Sequence, residues 1–381
     1  MNLFNVYPLF DITPIKGEDV FVYDKNKTEY LDLYGGHAVI SIGHSHPEYV
    51  KNISNQVSKL GFYSNSVQNP LQVELAKRLG KLSGCETYDL FLCNSGAEAN
   101  ENALKLASFH TGKKKVIAFK NGFHGRTSAT VAATDNTKII APLNAQQKVE
   151  FIELGNLEAV EKALSKKDVC AVIIEIIQGV GGLDESTADF YQGLSKLCKF
   201  YNTVLIVDEV QSGFGRTGDF FAFQKYNIEP DIISIAKGMG NGFPIGGILI
   251  HPKIEPSFGQ LGTTFGGNHL ACIASLSVLK VMEVQELMKN AKAISEYFLE
   301  EIKSISKIKT VKGRGLMLGL EFDFPIAELR KALIYKYHIF TGSAKNPNLL
   351  RILPPLTVQK KHIDMFIKVL KLELHLTDEK Q

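Results

Sequence analysis

TVLIVDE at residues 203–209 and DIISIAK at residues 231–237 are apolar at almost every position until each closes on charge, Asp208 with Glu209 in the first and Lys237 in the second. A strand with one wet face alternates, whereas a short run apolar on both faces is a strand covered on both sides. YDLFLC (88–93), KVIAF (115–119), CAVIIEII (170–177) and GGILI (246–250) share that texture. Between them lie stretches with apolar residues at helical spacing, such as AEANENALKLASFH (97–110) and TADFYQGLSKLCKFY (187–201). Strands alternating with helices predict an α/β fold, a mostly parallel sheet with helices on both faces.

Upstream, VFVYDKNKTEYLDLY (20–34) alternates about a Lys-Asn-Lys turn and reads as a hairpin. HPEYVKNISNQVSKLG (46–61) and NPLQVELAKRLGKL (69–82) read as helices, with Pro near each start. Downstream, the helical pattern GGNHLACIASLSVLKVMEV (266–284) leads to further strands, GRGLMLGLEF (313–322) and NLLRILPP (348–355). A helix in KHIDMFIKVLKLEL (361–374) closes the chain. Its 381 residues exceed the roughly 250–300 at which one core stops growing. We therefore expect a large domain over residues 60–275 and a smaller α+β domain built from both chain ends, 1–59 and 276–381.

Composition sets several classes aside. Against 40 acidic residues stand 43 Lys and Arg, a net charge of +3, which carries no footprint for nucleic acid or an anionic membrane. Neither is expected as a partner. Cys85, Cys93, Cys170, Cys198 and Cys272 are far apart with no C-x-x-C, so neither a zinc ribbon nor a redox pair is suggested. Cys170, inside an apolar run, reads as a buried thiol. No stretch approaches 18 uncharged apolar residues, and the first twenty residues lack the basic and apolar regions of a secretory signal. The cytoplasm is the expected compartment.

Nucleotide and metal chemistry find little support. LIVDE (205–209) is like a Walker B strand, but the chain has no G-x-x-x-x-G-K-[ST]. Gly238-Met239-Gly240-Asn241-Gly242 lacks G-x-G-x-x-G spacing, and Gly313-Arg314-Gly315 leads into another strand, so both read as turns. No Cys or acid completes a ligand set around His44 and His46, which read as a helix-entry turn.

In open α/β sheets the ligand sits beyond the carboxyl ends of the strands, often at a helix N-terminus. Four features at those ends suit one cofactor. Ser95, Gly96 and Ala97 open a helix directly after YDLFLC, so backbone N–H groups and the Ser95 hydroxyl form a phosphate grip, although Ser is also an ordinary N-cap. Phe123, in NGFHGRT (121–127), offers an aromatic face that alone would be core. Asp208 ends a buried strand, where a carboxylate is costly unless paired with a cation. Lys237 ends another, a setting that disfavours its ammonium form. Pyridoxal 5'-phosphate requires all four: a phosphate cradle, a stacking face, an acid for the pyridinium nitrogen and a Schiff-base lysine.

Eight strings in order along nearly the whole chain carry a resemblance. They are DLYGGHAVISIGHSHPE (32–48), NSGAEANENALKLA (94–107), NGFHGRT, IQGVGG (177–182), VDEVQSGFGRTG (207–218), AKGMGNGFPIGG (236–247), GTTFGGN (262–268) and LLRILPPLT (349–357). Together they resemble the class III aminotransferases of fold type I, within the acetylornithine and succinylornithine aminotransferase group. The resemblance implies that Lys237 holds pyridoxal phosphate, that Asp208 keeps its ring nitrogen protonated and that Gln211 bonds its ring hydroxyl. It assigns the phosphate to Ser95, Gly96 and Ala97, and the stacking face to Phe123. Thr264 would reach the phosphate of the neighbouring subunit, which implies a homodimer. Arg126 and Arg351 would bind substrate carboxylates, which a guanidinium fork suits.

The implied reaction moves the terminal δ-amino group of N-acetyl-L-ornithine to 2-oxoglutarate. It gives N-acetylglutamate 5-semialdehyde and glutamate, a step of arginine biosynthesis. N-succinylornithine, ornithine or another ω-amine as donor stays open, as does glutamate-1-semialdehyde aminomutase chemistry on the same fold. The match departs within IQGVGG, where Val180 stands in place of the family's second glutamate. In related ω-aminotransferases that acid pairs with the arginine matching Arg351. Its loss implies that Arg351 stays available to carboxylates, or that the pocket is reshaped for a larger acyl group. His269 and the pair Gly36–His37 also differ from the family's usual residues, and the sequence attaches no role to them.

Overall fold

A computed structural model describes residues 1–376 and contains three sheets. The largest has seven strands: β1 (Asp89–Cys93), β2 (Lys115–Phe119), β3 (Val149–Ile152), β4 (Val169–Ile174), β5 (Val204–Asp208), β6 (Ile232–Ile235) and β7 (Gly246–Ile250). Their order across the sheet is β1-β7-β6-β5-β4-β2-β3. The central strands β4, β5 and β6 are buried at every residue, as their unbroken apolar runs require. Pairing is parallel from β3 through β2, β4 and β5 to β6. The mostly parallel sheet expected from the sequence is present.

Two features differ from that reading. β7 pairs antiparallel with both β6 and β1. An apolar run such as GGILI carries no direction; the connection does. Only a short loop with a single 3-10 turn at Lys237–Met239 separates β6 from β7, whereas a parallel crossover takes a dozen or more residues, usually a helix. β3 has no counterpart in the sequence reading. It is the edge strand, three of its four residues are only half-buried, and so it lacks an apolar run.

Helix Gly96–Thr111 lies across the strands of this sheet, with Ala99, Ala103 and Ala107 wholly buried beneath it. Strands Pro14–Glu18, Phe21–Asp24 and Glu29–Asp32 form an antiparallel meander, and Ile339–Phe340 joins it in parallel beside Leu31 and Asp32. Residues from near the start and near the end of the chain thus share one sheet. The third sheet runs Thr310–Arg314, Met317–Glu321, Leu349–Ile352, Gly342–Ser343, all antiparallel. Arg351 is on its third strand.

Helices Pro47–Val57 and Pro70–Ser83 both begin on proline and pack against helix His269–Val284. His44 Nε2 bonds Asp32 Oδ2 at 2.8 Å, and His46 Nε2 meets Gln285 Nε2 at 3.0 Å, so the two imidazoles serve different elements. All five cysteines are free and buried, and burial pushes the Cys170 thiol up to about 11. Among the described residues no helix is long and apolar enough to cross a membrane.

Candidate active site

A cleft of about 410 Å³ is walled by the residues that follow β1, β2, β4, β5 and β6. It lies at the carboxyl ends of the parallel strands, where such sheets bind ligands. Ser95, Gly96, Ala97, Phe123, Arg126, Asp208, Gln211 and Lys237 all line it. Thr264 and Arg351 do not. Thr264 is exposed on the loop before helix His269–Val284, and Arg351 is buried alongside, against the Gly179 carbonyl.

β5 closes on Asp208, which is 4% exposed. Its Oδ2 accepts from Asn100 Nδ2 at 2.7 Å and from His124 Nδ1 at 2.8 Å, and its Oδ1 accepts from the Val210 N–H at 3.0 Å. Three elements therefore hold one carboxylate. Burial alone would depress the His124 pKa, but the bond to Asp208 and its charge outweigh burial and raise it. The contact favours the charged form of His124. The sequence signalled that Asp208 needs a cationic partner; nothing in the spacing picks His124 from ten histidines.

Glu175 follows β4 directly. Its two oxygens accept from the Phe123 and Gly179 N–H groups, each at 2.9 Å, so it fixes both the aromatic face and the IQGVGG turn. Burial pushes its carboxyl up to about 7, against the pull of the His124 charge. Gly179 presses on Gln211, and a Cβ there would come within 2.2 Å of Gln211 Oε1.

Lys237 sits in the tight turn between β6 and β7 at φ +44°, a strained setting for a residue with a side chain. Among the described residues its Nζ has no hydrogen-bond or ion-pair partner. Burial lowers its pKa, and the charges of Asp208 and Glu175 oppose this without cancelling it. The turn is clasped by the N-terminal segment. Asn241 Oδ1 accepts from the Ser41 and Ile42 N–H groups at 2.8 and 3.0 Å, and Asn241 Nδ2 donates to the Gly43 carbonyl at 2.9 Å. Ser41 Oγ donates to the Gly238 carbonyl and Tyr49 Oη to that of Gly240, both at 2.7 Å.

These groups fit pyridoxal 5'-phosphate in kind. Lys237 offers an unengaged amine, and Gln211 Oε1 is buried with no partner in the protein. Gly96 and Ala97 are first-turn residues of helix Gly96–Thr111, whose N–H groups have no intrahelical acceptor. Ser95 caps that helix, its Oγ accepting from the Glu98 N–H at 3.2 Å, which leaves its own proton to donate.

Arg126 is exposed at the mouth of the cleft. Arg351 donates from Nε to the Ser343 carbonyl and from Nη1 to that of Gly179, both at 2.6 Å, and from Nη2 to Tyr34 Oη at 3.3 Å. Val180 is on the cleft wall and brings no charge to it.

The chain matches the aminotransferase class-III family over residues 5–374. It is 41% identical to the acetylornithine aminotransferase of Aquifex aeolicus, over 97% of this chain and 98% of that protein. With the acetylornithine aminotransferase of Bacillus subtilis it shares 38% identity, over 97% of each. Among solved structures, the ornithine aminotransferase of Toxoplasma gondii superposes with a TM-score of 0.91 at 26% identity, covering 98% of this chain and 93% of that one.

Proposed function

The chain belongs to the aminotransferase class-III family, and on that premise we propose that it transfers the terminal amino group of N-acetyl-L-ornithine to 2-oxoglutarate. The products are N-acetylglutamate 5-semialdehyde and glutamate, in arginine biosynthesis. One observation carries the chemistry: Lys237, an unengaged amine held on a strained turn, shares a cleft with Asp208. The choice of donor is supported by the similarity to acetylornithine aminotransferases over nearly the full chain.

The enzyme uses pyridoxal 5'-phosphate. When bound, the cofactor supplies an electron sink that stabilises negative charge on the carbon bearing the amine. Lys237 would hold it, and Asp208, hydrogen-bonded by His124 and Asn100, would hold the proton on its ring nitrogen. Gln211 would take the ring hydroxyl, Phe123 the ring face, and Ser95, Gly96 and Ala97 the phosphate. Lys237 Nζ, its ammonium form disfavoured by burial, is the base that takes a proton from the donor's δ-carbon.

The two arginines divide the carboxylates by chemistry. A δ-amine donor carries its carboxylate several bonds from the reacting carbon, which suits Arg126 at the mouth. In 2-oxoglutarate a carboxylate is attached to the reacting carbon itself, which suits Arg351, whose charge acts on Lys237.

A homodimer is the proposed working unit, with Thr264 reaching the cofactor phosphate of the partner subunit. Thr264 points to this because it is exposed and does not line its own cleft. Phe62, Tyr63, Val67, Phe258 and Phe265 are exposed on the same and adjoining loops, and an apolar patch of that kind suits burial against a second copy. The cytoplasm is the proposed compartment.

Glutamate formed from N-acetylornithine and 2-oxoglutarate, mole for mole with the semialdehyde and absent in Lys237→Ala, tests the reading. Turnover of an amino aldehyde without added 2-oxoglutarate would instead indicate an aminomutase.

A further inference from the structure

Arg351 is a buried cation, 4% exposed, with no carboxylate paired to it among the described residues. Neutral groups meet it instead. Two are the backbone carbonyls of Ser343 and Gly179, and the third is the Tyr34 hydroxyl. The guanidinium also lies 5.7 Å from the centre of the Tyr34 ring. A carbonyl is fixed by its strand or turn. A phenol needs fixing.

Tyr34 is fixed from its far side. Its Oη is hydrogen-bonded to His37 Nδ1, with the two rings 4.7 Å apart. A guanidinium can only donate, so Tyr34 Oη accepts from Arg351, and its single proton is left for His37 Nδ1, the other polar atom it meets. With Tyr34 as the donor there, the imidazole is neutral and carries its own proton on Nε2. Partial desolvation lowers the His37 pKa, and the charges of Arg351, Lys237 and Arg330 push the same way.

The backbone makes the meeting possible. Residues 35–38 run at φ +54°, +54°, +69° and +63°, a left-handed turn that folds His37 back onto Tyr34. His37 and Ala38 hold that conformation without glycine's freedom, which is costly unless the surroundings enforce it. On the other side Gly342 lets the Tyr34 ring lie against its strand, since a Cβ there would sit 2.4 Å from Tyr34 Cε2.

We propose that Tyr34 and His37 are positioning residues that hold the Arg351 guanidinium ready for the carboxylate on the reacting carbon of the keto acid. This rests on the reading of Arg351 as that carboxylate's ligand. The relay runs Arg351 N–H to Tyr34 O–H to His37 Nδ1 and contains no negative charge. Arg351 therefore keeps its full attraction for a carboxylate, where an acidic partner would first have to be displaced. Val180 leaves that arrangement undisturbed.

The test uses the holoenzyme and measures the two half-reactions separately, with N-acetylornithine and with 2-oxoglutarate. Tyr34→Phe and His37→Gly, the latter free of strain in the left-handed turn, are each expected to raise the KM for 2-oxoglutarate about tenfold while the N-acetylornithine half-reaction stays within about twofold, the scale of one hydrogen bond to a charged group. His37→Asn restores an acceptor near the Nδ1 position and tolerates the left-handed turn, so it should recover most of the loss. Equal losses in both halves, no change with 2-oxoglutarate, or no recovery in His37→Asn would overturn the proposal. Arg351→Ala separates the layers. If it leaves the KM for 2-oxoglutarate intact, the reading of Arg351 itself fails; if it raises that KM and the relay variants do not, only the positioning role fails.

Discussion

His124 donates from Nδ1 to Asp208 Oδ2 at 2.8 Å, and both side chains are shielded from solvent. The bond raises the histidine pKa in the folded state above its ordinary 6.5. The proton's contribution to stability is therefore fully present below the ordinary value and lost as pH rises through the raised one. Thermal melts of His124→Gln against the parent, from acid to alkaline pH, should show a gap of about 2 kcal/mol at low pH that narrows as pH climbs. A gap of constant size across the range would contradict a charged His124.

Gly179 is not in a left-handed conformation, so its backbone accepts alanine. Its contact does not, because the new Cβ would fall 2.2 Å from Gln211 Oε1. Gly179→Ala should displace Gln211 and weaken cofactor binding about tenfold, the value of one good hydrogen bond. Titration of the apoprotein followed by visible absorbance measures this. An unchanged Kd would remove Gln211 from the cofactor site.

The parts of the site carried by one strand and its end were legible in the sequence, because an apolar run that stops on Asp208 or Lys237 states both burial and position. The direction of β7 was not legible, since GGILI reads the same either way and only the length of the preceding loop decides it. Nor were the partners of Asp208 or the clasp on the Lys237 turn. Asn100 and His124 reach Asp208 across separations of 108 and 84 residues, and Asn241 clasps a segment about 200 residues away. Such meetings are set by how sheet and turns pack, and no local pattern records them. Tyr34 and His37 illustrate the same limit, because their contact depends on a left-handed turn that Gly35 and Gly36 suggest but His37 and Ala38 do not.

Asn241 satisfies two buried N–H groups and one carbonyl of the segment 41–43. Asn241→Ala leaves them orphaned beside the Lys237 turn, at a cost of about 2–4 kcal/mol. Denaturant unfolding should register a loss of that size, and a loss within a few tenths would show that water or a shifted turn replaces the amide.

A carboxylate introduced by Val180→Glu would stand beside the Gly179 carbonyl that Arg351 already bonds. It should pair with Arg351, raise the KM for 2-oxoglutarate about tenfold or more, and shift selectivity among N-acetylornithine, N-succinylornithine and ornithine. Steady-state kinetics with the three donors checks it. Unchanged selectivity and an unchanged KM would mean that Val180 has no bearing on Arg351.

The most direct measurement mixes the pyridoxal form of the enzyme in turn with N-acetylornithine, N-succinylornithine, ornithine and 4-aminobutyrate, and follows the visible absorbance of the lysine-bound cofactor. N-acetylornithine should bleach it fastest, 2-oxoglutarate should restore it, and Lys237→Ala should show neither change. Fastest bleaching by another of the four amines, or bleaching by none, would contradict N-acetylornithine as the donor.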